Sequence, residues 1–212
     1  MPAAAVRERA AELLPAWWDR LAAEFARVEP HAFAALSTGQ RLQGIELRFD
    51  HSGQVRSLGR GRASAAWTGF WGYPAPAVAG AALTAAALTG WAPAALSVSA
   101  LVLLAALLFI RNLQGAVIAV GCAASAVLLV WFSTPRAAAV ACLVLGLALL
   151  VGAVRDWFKV LRVHLRPGTP HASDAWILAR RTRFPAAGWL ALFAAVIAAG
   201  WAGAVLAYLH SV

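Results

Sequence analysis

His31 opens the run HAFAALSTGQRLQGIELRFDHSGQV, His31 to Val55, and is the side chain whose type and setting bear most on chemistry. An imidazole can ligate a metal or carry a proton near neutral pH. Alone, a histidine beside an apolar helix more often packs or sits at an interface. Glu29 cannot share a helix face with it, because two residues correspond to about 200° of rotation and Pro30 disturbs the turn between them. Glu24, two turns before His31, belongs to the charged face of an amphipathic segment. Cys122 and Cys142 fall in separate apolar runs without the paired spacing of a zinc or redox site, and read as small buried residues. Gly59-Arg60-Gly61-Arg62 is a basic turn lacking the strand-to-helix context of a phosphate loop, and reads as an anchor at lipid headgroups.

These residues are set in an apolar chain. Of the 212 residues, 62% are hydrophobic and 13% charged, against roughly 25% charged in soluble domains, and the mean hydropathy is +0.71. The chain reads as an integral membrane protein. Its formal charge of +9 would suggest nucleic acid in a soluble protein, but here the basic residues lie between apolar runs, where they orient a chain in a bilayer. No nucleic-acid partner is expected. Lys159 is the only lysine among the 18 basic residues, and with the abundance of alanine this bias hints at a high-GC bacterial genome. The first thirty residues mix charge and apolar groups evenly, unlike a secretory signal.

Crossing ~30 Å of hydrocarbon takes about 20 apolar residues in a helix. Five stretches approach that: Ala65–Thr89, Ala92–Ile110, Leu113–Phe132, Ala137–Val154 and Ala186–Leu209. Gly80, Gly121, Gly146, Gly152 and Gly200 would let such helices pack closely. Under this assignment one side carries every lysine and arginine except Arg136. The positive-inside rule then puts the N-terminal region and the Arg155–Pro185 loop in the cytoplasm and His210 outside, in a multi-pass protein of the plasma membrane. Trp67, Trp71, Trp91, Trp131, Trp157 and Trp189 lie near span ends and read as interfacial anchors.

Before the spans, Ala3–Val28 interleaves Leu13, Leu14, Trp17, Trp18, Leu21 and Phe25 with Arg7, Glu8, Glu12, Asp19, Arg20 and Glu24, the pattern of an amphipathic helix bent near Pro15. Ile45, Leu47 and Phe49 then alternate with Glu46, Arg48 and Asp50, and Ser52-Gly53 supplies a turn before Gln54–Leu58, a β-hairpin signal. The expected fold is an all-α polytopic membrane protein: about five transmembrane helices, an N-terminal amphipathic helix and a small cytoplasmic β-hairpin. It divides into an amphipathic segment (1–30), a segment holding His31 and the hairpin (31–64), and a transmembrane bundle (65–212) with the loop 155–185.

His31-Ala32, Ala35-Leu36, Gly39, Gly44-Ile45, Leu47, Asp50 and Ser52-Gly53 are followed in order by four further segments. These are Gly72-Tyr73-Pro74-Ala75-Pro76 opening a span, Arg111-Asn112-Leu113 with Gly115 before the next, Gly152-Ala153-Val154-Arg155 closing one, and Ser173-Asp174-Ala175 with Leu178-Ala179 before the last. From about Pro30 to Leu209 this order resembles the bacterial branch of the site-2 protease-type family of intramembrane zinc metallopeptidases. The resemblance implies a helix bearing HExxH, zinc held by its two histidines and a later aspartate, and a glutamate that activates the metal-bound water against a peptide bond. Four-residue spacing serves because i and i+4 share a helix face, and the glutamate must stand beside the open zinc position.

Carried over position by position, His31 matches the second histidine and Asp174 the aspartate, while Arg27 stands at the first histidine and Val28 at the glutamate. Catalytic zinc normally takes three protein groups plus water, so the resemblance implies the zinc family together with an incomplete metal site and no catalytic residue. The expected partners are the lipid bilayer and a single-span membrane helix that such a scaffold would bind or regulate. An active protease using an unorthodox third ligand, with His171 a candidate, is the alternative. A transporter or channel subunit is the third, disfavoured because the spans hold almost no ionisable residues and no evident repeat.

Overall fold

The structure, a computed structural model, describes residues 41–47, 53–58, 62–165 and 174–211. The amphipathic segment expected over Ala3–Val28 lies outside the described residues. Strands β1 (Arg41–Leu47) and β2 (Gly53–Leu58) pair antiparallel, with Ile45 opposite Val55, Glu46 opposite Gln54 and an irregularity between Leu42 and Gly44. The described helices are α1 (Arg62–Trp71), α2 (Pro74–Leu88), α3 (Ala92–Ala106), α4 (Leu113–Phe132), α5 (Pro135–Leu165), α6 (Asp174–Thr182) and α7 (Ala186–Ser211), and β1 lies against α4.

Three of them, α4, α5 and α7, are long and apolar enough to cross a membrane. The other two expected spans differ from the sequence reading. Ala65–Thr89 is two helices: α1 stops at Trp71, and α2 starts afresh with Pro74 in its first turn, where a residue without an N–H costs nothing. Ala92–Ile110 keeps α geometry only to Ala106, and Leu107–Phe109 form turns. At 1.5 Å per residue, the 15 residues of α2 or α3 reach about 22 Å, short of ~30 Å. Gly90, at φ 82, closes α2, and the Trp91 N–H reaches back to the Ala86 carbonyl at 2.8 Å.

The fourth expected span ends late rather than early. Instead of giving way to a loop at Arg155, α5 runs 31 residues to Leu165, and α6 occupies part of the remainder. Hydropathy falls at Arg155, but helical periodicity does not: Ala153, Asp156 and Val160 continue one buried stripe.

At the centre of the bundle α2 packs against both α5 and α7. Its crossing with α5 is backbone on backbone. A Cβ on Gly80 would stand 2.6 Å from the Gly146 carbonyl oxygen, and one on Gly146 would stand 2.8 Å from that of Gly80. One turn along, the Cys142 thiol donates to the Leu83 carbonyl at 3.3 Å, so the two helices run antiparallel. Gly121, by contrast, faces open space and packs nothing. α3 and α4 form a second layer in which Leu96, Ala100, Ala123 and Ala126 close on Ala138 and Cys142 of α5. Leu101, Leu108, Val117, Leu128, Trp131 and Phe132 are left exposed. An apolar outer face this wide is what lipid solvates and water does not.

Candidate functional site

α1, α6, the end of α5 and the starts of α2 and α7 converge on an aromatic cluster. Ala66, Val160, Ala175, Leu178, Leu190 and Phe193 are buried there, flanked by Phe70, Tyr73, Trp157 and Trp189. Phe193 is the centre, with ring centroids 5.7 Å from Phe70 and 5.2 Å from Tyr73, inside the range of favourable ring pairing. The Trp157 indole N–H donates to the Leu190 carbonyl at 2.9 Å and that of Trp189 to the Thr182 hydroxyl at 3.1 Å. These two indoles, expected as headgroup anchors, therefore work inside the protein, whereas Trp91 and Trp131 are 68% and 78% exposed. The difference arises because Trp157 and Trp189 sit where helices meet, and a buried indole N–H needs an acceptor.

This cluster positions the only sequence-derived site residue within the described region. Asp174 is the first residue of α6, and α6 is fixed by Ala175 and Leu178, both buried in the cluster. His31, Arg27, Val28, Glu29, Glu24 and His171 lie outside the described residues. Among the described residues, no three His, Cys, Asp or Glu side chains are grouped to hold a metal ion.

Two features escaped the sequence reading. Asp156 is a carboxylate on the buried stripe of α5, its side chain 12% exposed, with Oδ1 accepting from the Lys159 ammonium at 3.0 Å. Its signal was an acid in register with Ala153 and Val160. Thr84 is buried beside Gly146, and among the described residues its hydroxyl has no hydrogen-bond partner; nor does the Trp201 indole nitrogen. A threonine in an alanine-rich helix carries no such signal.

Membrane-length apolar helices, outward apolar faces and a core of close backbone contacts define a helical integral membrane protein. The Peptidase M50B-like family model matches residues 29–204, and the chain belongs to that family, which is of the site-2 protease type. No curated protein and no solved structure matches the chain.

Proposed function

We propose that this protein is a catalytically degenerate member of its family that uses the protease scaffold to bind or regulate a membrane helix. The observation that carries this reading is the pair Arg27 and Val28, standing where the family's first histidine and glutamate belong. The donors left at family positions are one imidazole, His31, and one carboxylate, Asp174. That set falls short of the three protein ligands of a catalytic zinc, and a guanidinium at the vacated position repels the ion. The residues at these positions therefore do not fit a catalytic zinc. In this reading Asp174 pairs with Arg27 or His31, leaving no lone charge near the bilayer.

The same reading keeps five crossings. α2 packs along α5 and α7, which supports a place at membrane depth despite its length, and apolar residues continue beyond Ala106 to Ile110. The N-terminal amphipathic segment, the strand pair and residues 155–185 lie in the cytoplasm and His210 outside, by the distribution of arginine.

Elemental analysis of the full chain purified in detergent tests the proposal, with His31→Ala and Asp174→Ala prepared identically. Negligible zinc in folded wild type is the expected result. About one zinc per chain, lost in both variants, would overturn it in favour of an active metalloprotease.

A further inference from the structure

We propose that the end of α5 carries a binding surface for anionic phospholipid headgroups, built from Arg155, Lys159 and Arg162. Positions i, i+4 and i+7 fall within about 60° of one another on a helix, so these three cations form one stripe, and all three are exposed. The helix is turned by its buried face, where Ala153, Asp156 and Val160 pack inward, and the stripe is what that face leaves outside. The only acid in this stretch, Asp156, is withdrawn from it, its side chain 12% exposed against 58% for Lys159. The outer surface therefore keeps a net positive charge even with the Asp156–Lys159 pair formed.

Depth and flanking residues select the partner. α5 has 31 residues, about 46 Å at 1.5 Å each, so its last third emerges from ~30 Å of hydrocarbon at the headgroup level. Phe158, 47% exposed, and Leu165, 69% exposed, lie beside the stripe on the outward side. A soluble phosphate would have no use for them. A phospholipid uses both parts: its phosphodiester meets the two guanidiniums and the ammonium, and its acyl chains meet Phe158 and Leu165. Arg180 and Arg181 of α6, which packs on α5, are exposed as well and add to the same field.

The test uses the full chain in nanodiscs of phosphatidylcholine with increasing phosphatidylglycerol, reading by native mass spectrometry the lipid retained after mild delipidation. The variant is Arg155→Gln/Arg162→Gln, which leaves the Asp156–Lys159 pair intact and so spares the buried carboxylate. Wild type is expected to retain phosphatidylglycerol over phosphatidylcholine, and the double variant to lose that preference by roughly tenfold or more, at about fivefold per neutralised charge near the surface. Arg136→Gln, at the opposite end of α5, is expected to change nothing. Equal retention of the two lipids by wild type, an unchanged preference in the double variant, or equal displacement of lipid by millimolar inorganic phosphate would each overturn the proposal. Should the double variant not fold, Arg155→Gln and Arg162→Gln singly give the same readout at half the effect.

Discussion

The crossing of α2 with α5 and the aromatic cluster at the end of α5 hold the same helices together by opposite means. At the crossing, Gly80 and Gly146 let two backbones touch, and the contact consists of many short dispersion contacts between small groups. Lipid tails are as apolar as the helices, so only close fit distinguishes helix–helix from helix–lipid contact. In the aromatic cluster, large rings fill the space where five helices meet, and two indole N–H groups are committed to internal acceptors. The first region has no room for an added atom; the second cannot lose one. The difference matters for function, because α6, with Asp174 at its head, is attached through the second region and does not touch the first.

The sharpest way to break this contrast is to remove atoms where rings fill space. Phe193 is fully buried between Phe70, Tyr73 and Trp189, and Phe193→Ala is expected to destabilise the protein by about 3 kcal/mol, the low end for buried phenylalanine because the ring also meets apolar solvent in the unfolded state, so the cavity supplies most of the cost. Unfolding in mixed detergent micelles, followed by helicity, reads the effect. The converse is to add one atom where backbones touch. Gly80→Ala places a methyl 2.6 Å from a carbonyl oxygen that cannot move aside, and a loss of about 1–3 kcal/mol is expected. If Gly80→Ala cost nothing while Gly121→Ala, in open space, cost more, the crossing would not be the close contact described.

The sequence made the membrane class legible because composition alone separates lipid-solvated from water-solvated chains, and family membership was legible in the order of short motifs around His31, Pro74, Arg111 and Asp174. The breaks in the spans were harder to see. A hydropathy reading runs straight through Gly72-Tyr73-Pro74, since all three are compatible with an apolar stretch, yet Pro74 is where α2 must begin. It also ends a helix where charge begins, whereas α5 continues because Asp156 and Val160 keep the buried stripe going past Arg155. Of the candidate site, only the placement of Asp174 at the head of α6 is added to the sequence reading; the choice of His31 and Asp174 came from family motifs, which carry no distances.

Smaller effects probe whether polar atoms in the two regions are equally well served. The Thr84 hydroxyl is buried at the crossing without a partner among the described residues, so the isosteric Thr84→Val is expected to stabilise the protein by about 1 kcal/mol by removing an unpaired polar group. In the aromatic cluster, where the Trp157 N–H is paired, Trp157→Phe is expected to cost about 1–2 kcal/mol, one hydrogen bond together with the indole atoms withdrawn from the packing. Opposite signs in the same unfolding assay are the signature of the contrast, and equal signs would dissolve it.

The finest test concerns the connection from α6 into α7. Arg183 follows the last turn of α6 with φ 62, and its N–H closes that turn on the Ala179 carbonyl at 3.0 Å. This is the left-handed closing position where glycine is preferred, because an L side chain there crowds its own carbonyl at a cost of about 1–2 kcal/mol. Arg183→Gly relieves the crowding but frees the unfolded chain, which returns part of the gain. The net expectation is a stabilisation of a few tenths of a kcal/mol, seen as slower amide exchange over Ala175–Thr182 with no change at the α2–α5 crossing. A matching change at Gly80 and Gly146 would mean that the two regions unfold as one unit, and that the attachment of α6 is no more local than the packing of the spans themselves.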